Sequence, residues 1–426
     1  MKRIGFMGMV AALCVSTAPV MAAPSGEITV WSWDVAAKAL QSTVAGFNKK
    51  YPDVKVKVED LGNQIAYDRG LAGCAAGGAN MPDVYSVENG EAEVFWARFP
   101  ECFAALNKME GADALLKKFP EFKLTELQVE GNTYAMPWDS GPVVIFYRRD
   151  YFQDAGVDPA SIKTWDDYIA AGKKIVEKTG GKVKMAATAP GGDDDYFRDI
   201  AGQSGCGYFD PKGTHVTINQ PGCVKALEIV KKLYDANIMG TGGWAEQIQF
   251  FKAGAVATSM FGGWYEGQFR TEAPDQKGKW GVMRVPAVEA GGNRAANLGG
   301  SALAIPAASK NQEAAWAFVS YALGTVEGQI TMLKEFGLVP SLLDALNDPY
   351  VKAPQEYWGG QAVWTDVLAT LPDIKPVRGT QFFQEAREVS IKTNADFLAG
   401  KYKTAKEALD AAATQISGAT GLPIAK

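Results

Sequence analysis

The sequence has a single histidine, His215, among 426 residues. It stands in a turn-strand context and reads as a surface residue, which argues against serine or cysteine triads and against metal sites built on histidine. Cysteine is scarce as well. Of the five, Cys74, Cys102, Cys206 and Cys223 lack the close pairs that a zinc site needs. Positive charge is not in excess: 43 Lys and Arg face 48 Asp and Glu, giving a net charge of -5 with no basic cluster, and this speaks against a nucleic-acid partner. Apart from the first residues, no apolar run approaches the roughly 20 residues that span a bilayer as a helix.

What is present begins with an export signal. Lys2-Arg3 precede an apolar run over 4–15, and Val20-Met21-Ala22 forms a small-residue cleavage site before Ala23. Leu13 stands before Cys14, where a lipoprotein site needs a small residue, so a lipid anchor is not expected. Removing Lys2 and Arg3 takes the net charge from -5 to -7. The mature protein is expected to be exported and soluble, and an oxidising compartment makes disulfides the default for the remaining four cysteines. Three connectivities exist; local pairing, Cys74 with Cys102 and Cys206 with Cys223, keeps each bridge within one domain. Length favours two domains, and 47% apolar against 21% charged residues describes an ordinary globular chain. Eleven Trp and fifteen Tyr are generous, and several stand beside Gly, Asp or Asn, which suggests exposed aromatic surface.

Along the chain, residues 28–31 form a strand, Leu40, Val44 and Phe47 recur at helical spacing, and 54–59 alternate apolar and polar. This is a β-α-β unit, implying a parallel sheet whose ligands bind beyond the carboxyl ends of the strands, here at Trp33-Asp34. A strand over 83–87 ends in Glu88-Asn89-Gly90. The segment 134–150 places Pro137-Trp138-Asp139-Ser140-Gly141 before a buried strand at 143–147 and reads as a crossover between two lobes, with Asp139 at the cleft mouth. Thr164-Trp165-Asp166-Asp167 is a capping box, and a strand covers 183–187. The triple Asp193-Asp194-Asp195 reads as helix capping favoured by the macrodipole, with a ligand-facing role as the alternative. Residues 209–213 signal a type I turn. A strand over 255–260 runs into Gly262-Gly263-Trp264-Tyr265, where two glycines permit close backbone approach and two aromatics follow. Residues 294–300 and 336–341 form two more irregular connectors, and 380–416 read as amphipathic helices preceded by Trp358, Trp364 and Arg378.

Together ITVWSW, FNKKYPDVKV, PDV, YAMPWDSGPVVIFYRRDYFQDAGVD, TWDDY, MFGGWYEG, GGSALAIPAASKNQEAAWAFVSYALGTVEGQ and FGLVPS, in that order and spacing, resemble the extracytoplasmic solute-binding proteins of carbohydrate ABC importers, the maltose-binding-protein-like class, most nearly its lactose-binding members. The resemblance implies an α/β fold of two lobes, each a mostly parallel sheet flanked by helices, joined by three crossovers near Asp139, at 294–297 and at 339–341. The lobes would comprise 23–138 with 298–339, and 139–297 with 340–426. It also implies a sugar enclosed between them. Trp33, Asp34, Glu88, Asn89, Asp139, Gly263, Trp264, Tyr265, Gly300, Trp358 and Arg378 are the expected ligand-binding residues, with Trp264 stacking and Trp358 as a second platform. The partners implied are the permease subunits of an ABC importer, and the protein is expected to be monomeric and periplasmic, without cofactor or metal.

A sugar carries hydroxyls on its edges and apolar C–H faces, so acids and amides in the ring plane with indoles above and below suit it. Two other functions compete. Acids with aromatic platforms also describe glycosidases, but no positioned acid and nucleophile pair stands out. The same fold could hold a polyamine or a ferric ion; iron would call for clustered Tyr or His.

Overall fold

The computed structural model describes residues 23–378 and 380–426. The expected leader through Ala22 lies outside the described residues. The β-α-β unit forms as its local pattern dictates: β1 (Gly26–Ser32), α1 (Asp34–Lys50) and β2 (Val54–Asp60). α1 buries Leu40, Val44 and Phe47 at helical spacing, and β1 and β2 pair in parallel from Gly26 opposite Val54 to Ser32 opposite Asp60. β3 (Val84–Glu88) lies parallel on the other side of β1 and runs directly into α2 (Asn89–Arg98). The short helix α3 (Glu121–Thr125) and strand β4 (Ala135–Pro137) follow.

After the first crossing the chain forms β5 (Val143–Arg148), α4 (Trp165–Lys178), β6 (Ala186–Thr188), α5 (Asp195–Gly202), α6 (Pro221–Asp235), β7 (Met239–Thr241), β8 (Thr258–Gly262) and β9 (Trp280–Arg284). α4 opens on the expected capping box, Thr164 with Asp167. β6 and β8 begin about three residues later than the sequence suggests, because Lys184 and Val256 make only an isolated bridge with each other. β10 (Ser301–Ala304), α7 (Gln312–Gly324) and α8 (Val326–Phe336) come next, and α9 (Phe383–Leu398) and α10 (Ala405–Thr420) close the chain.

The result is the two-lobe fold. The first lobe holds the five-stranded sheet β2-β1-β3-β10-β4, and the second holds β8-β5-β9 with the pair β6-β7 beside it. The expectation of mostly parallel sheets holds for β2-β1-β3 and for β6-β7 and fails where a strand arrives from the other lobe. β5 runs antiparallel to both β8 and β9, and β10 antiparallel to both β3 and β4. A helical crossover within one lobe forces the next strand to be parallel; a strand entering through the hinge is under no such constraint.

Three crossing segments lie side by side and bond laterally. Ser140 N–H donates to Val339 O at 2.9 Å, Leu298 N–H to Gly141 O at 2.8 Å, and Val143 N–H to Ala296 O at 2.9 Å. The Ser140 and Ser341 hydroxyls stand 2.8 Å apart, and Gly141 N–H donates to Asn297 Oδ1 at 2.9 Å. After the third crossing the chain still touches the first lobe, with Leu343 N–H donating to Lys118 O at 2.9 Å. The lobes also meet where α2 faces the segment leading into α9. Both disulfides are local, Cys74–Cys102 and Cys206–Cys223. His215 is exposed. No helix among the described residues is long and apolar enough to cross a membrane.

Candidate functional site

The carboxyl ends of strands from both sheets and the crossing segments surround one cleft. β1 delivers Trp33 and Asp34, β3 delivers Glu88 and Asn89, the first crossing brings Asp139, and β8 ends at Gly262 just before Trp264. The cleft consists of two adjoining cavities, of about 390 Å³ and about 310 Å³. Glu88, Trp264 and Gly299 line both, so the half-buried indole of Trp264 stands at their junction.

Trp264 is fixed from below. Its Nε1–H donates to Leu298 O on the second crossing at 2.8 Å, and a Cβ on Gly262 would lie 2.3 Å from that nitrogen, so only glycine there admits the indole. Glu88 is a carboxylate at the junction that accepts no protein hydrogen bond among the described residues. Burial raises its pKa, while Arg198 and Arg387 pull it back down. Asp139 is 6% exposed and accepts from Ser301 N–H at 2.8 Å; burial raises its pKa, against the nearby cation of Lys123. Asp34 is exposed, lines the smaller cavity, and holds φ at 42°, a left-handed conformation rare outside glycine. Such local strain is found preferentially at ligand sites.

Not every expected residue reaches the cleft. Tyr265 is fully buried and stacked on Phe261, with ring centroids 4.2 Å apart. Trp358 is fully buried too, its Nε1–H donating to Glu266 Oε1 at 2.7 Å. Glu266 in turn holds Arg270, which lines the smaller cavity, with 2.9 Å between Arg270 Nε and Glu266 Oε2. Trp358 thus props the site without facing it, because the aromatic core of the second lobe claims the ring. Gly263 is buried, its N–H donating to Pro142 O at 2.9 Å. Gly300 lines the smaller cavity with φ +104°. Asn89 lines the larger cavity, but its amide is engaged by Lys123 and Glu126. Arg378 also lines the larger cavity, with its guanidinium taken up by Glu93 of the opposite lobe, Nε to Oε1 2.7 Å. The same meeting of lobes includes Thr380 N–H donating to Glu93 Oε2 at 2.7 Å and Gln384 Nε2–H donating to Glu91 Oε1 at 2.8 Å.

The triple aspartate does not cap the helix as expected, because the charged partners beside it take up its carboxylates. Asp194 occupies the N-cap position of α5 without a side-chain capping bond. Its buried carboxylate instead accepts from Arg198 Nε at 3.0 Å and from the Tyr208 hydroxyl, and lies 3.8 Å from Arg387 Nε. Asp195 takes Arg198 Nη2 at 2.5 Å. Asp194 therefore anchors two arginines beside the larger cavity, both of which the sequence reading missed. The spacing of Asp194 and Asp195 four and three residues before Arg198 was the available signal. Glu126, also missed, had none, since its place depends on a contact with Asn89, 37 residues away. Among the described residues no three His, Cys, Asp or Glu side chains are grouped to hold a metal ion.

Comparison with known proteins agrees with this architecture. Residues 32–329 match the family model described as bacterial extracellular solute-binding protein. The arabinooligosaccharide-binding protein of Bacillus subtilis (strain 168) is 31% identical over 406 residues, covering 92% of each chain. The lactose-binding protein of Rhizobium radiobacter is 30% identical over 385 residues, covering 88% of each. Among solved structures, the ABC transporter associated binding protein from B. animalis subsp. lactis Bl-04 in complex with beta-1,6-galactobiose is 26% identical with a TM-score of 0.75, covering 94% of this chain and 100% of that one. The GacH receptor of Streptomyces glaucescens GLA.O, at 23% identity and a TM-score of 0.76 over 92% and 98% of the two chains, shares the fold. With the family model spanning well over half of the sequence and relatives matching nearly all of it, the chain belongs to the bacterial extracellular solute-binding protein family.

Proposed function

We propose that the cleft binds an oligosaccharide of two or more sugar units, one on each side of Trp264, and that the protein delivers it to the permease subunits of an ABC importer. The observation that carries this reading is the junction itself, an indole face between two cavities with Glu88 beside it in both. A sugar ring needs an aromatic surface against its C–H face and acceptors at its hydroxyl edge, and Trp264 with Glu88 and Asp139 supplies both. Named ligands of relatives, arabinooligosaccharide and lactose, support the same class.

On this reading Trp33, Asp34, Glu88, Asp139, Trp264 and Gly300 meet the ligand, and Arg198 adds donors. Lobe 23–138 with 298–339 closes on 139–297 with 340–426. The protein acts by binding alone, as a periplasmic monomer released by cleavage before Ala23. Thermal melting in the presence of β-1,6-galactobiose, lactose and arabinotriose, with galactose and arabinose as controls, tests the reading, because a ligand of the native state adds RT ln(1 + [L]/Kd) of stability. At least one oligosaccharide should raise the melting temperature more than its monosaccharide. No shift with any sugar, or hydrolysis of the probe on incubation, would refute it.

A further inference from the structure

Lys123 is 0% exposed. A buried ammonium is costly unless it is paired with an acceptor, and the acceptor this one reaches belongs to the cleft. Its Nζ donates to Asn89 Oδ1 at 2.5 Å, and Asn89 Nδ2–H donates onward to Glu126 Oε2 at 2.6 Å. A Cβ on Gly300 would lie 2.8 Å from the same Nζ and 2.8 Å from Asp139 O, so Gly300 leaves room for the cation beneath the cleft wall. Lys123 itself lines neither cavity, whereas Asn89 and Glu126 line the larger and Asp139 the smaller.

We propose that Lys123 is the positioning residue of the cleft, fixing the Asn89 amide from beneath, and that the half-buried Glu126 is thereby presented to the larger cavity as a ligand-contacting acceptor. The inference rests on the reading of the cleft as the ligand site. Geometry orders the chain of bonds: an ammonium can only donate, so Oδ1 of Asn89 must face Lys123, and the amide nitrogen must face Glu126. One Glu126 oxygen is held by Asn89 and the other is left for a hydroxyl.

The arrangement has a consequence in pH. Burial pushes Glu126 up to about 7, against Lys123 and the Asn89 bond, with Glu93 adding to the rise. The other charged groups lining the same cavity are Glu88 and Glu91, Asp195 and Arg198 on α5, Arg387 on α9, and Lys375 and Arg378 before it. Glu91 is also pushed up to about 7, so differences between variant and wild type are the readout. Because the folded value of Glu126 lies above its ordinary 4.5, the stability it contributes is present below 4.5 and lost as pH rises through about 7.

Two arms test the proposal on the full mature chain. Without ligand, the melting temperature of Glu126→Gln relative to wild type should climb from pH 4.5 to 7 and then level off. In Lys123→Met the melting temperature relative to wild type should keep falling above pH 7, since the cation favouring ionised Glu126 is gone. With β-1,6-galactobiose, lactose or arabinotriose, whichever wild type binds, the ratio of the Glu126→Gln Kd to the wild-type Kd should rise with pH to about tenfold, the loss of one charge-assisted acceptor. Should Lys123→Met fail to fold, Glu126→Gln still decides. A melting difference that does not change between pH 4.5 and 8, or a Kd ratio indifferent to pH, overturns the proposal. If no probe binds wild type, the functional reading falls while the ligand-free arm judges the buried network by itself.

Discussion

Truncating Trp264 separates a ligand platform from a core ring. The indole is half-buried, lines both cavities and is tied to Leu298 O at 2.8 Å. A sugar face covering about 80 Å² of apolar surface contributes about 2 kcal/mol at roughly 25 cal/mol per Å². Trp264→Ala should therefore weaken oligosaccharide binding about thirtyfold, 1.4 kcal/mol being a factor of ten. Trp264→Phe keeps a ring but loses the bond to Leu298 O, worth about 1 kcal/mol net, and should lie between wild type and the alanine variant. Fully buried Trp358 behaves differently: Trp358→Ala should cost about 3–5 kcal/mol of folding stability. Calorimetric titration beside melting without sugar resolves the two patterns. Unchanged affinity in Trp264→Ala together with a large drop in melting temperature would refute the assignment and return the indole to the core.

Replacing Glu88 by Gln should weaken binding about tenfold to a hundredfold by the measure of a charged acceptor, while leaving the protein at least as stable near pH 7. Burial raises the pKa of Glu88, so the acid contributes stability below its ordinary value that is lost as pH rises; calorimetry and melting at pH 5 and 8 check both signs. Replacing Cys206 and Cys223 by Ser together opens a 17-residue separation and should cost about 3 kcal/mol, read as a shift in denaturant midpoint. The oxidised protein should show no titratable thiol after unfolding. Arg378→Ala removes the bond from Arg378 Nε to Glu93 across the cleft and should expand the ligand-free protein in small-angle scattering while lowering affinity less than tenfold; an unchanged scattering profile would count against a closing role.

What the sequence determines by itself is what depends on near neighbours. The alternation of Val54, Val56 and Val58, the helical recurrence of Leu40, Val44 and Phe47, and the Thr164–Asp167 box need only a few residues of context, and each element formed where its pattern lies. The placement of Trp33, Asp34, Glu88 and Asp139 around one cleft was legible for a related reason: strand ends and crossovers in a two-lobe fold point into one crevice. Which aromatic faces the cleft was not legible. Trp264, Tyr265 and Trp358 are alike in composition and local setting, and only packing against Phe261 and Glu266 drew the last two inward. The same holds for charge. Whether Arg378 pairs with Glu93, whether the aspartates cap a helix or anchor Arg198, and whether Lys123 reaches solvent or Asn89 are settled by contacts spanning from 3 to 285 residues. The longer ones belong to tertiary structure because desolvation and pairing depend on what folding brings into contact, and no window of sequence carries that information.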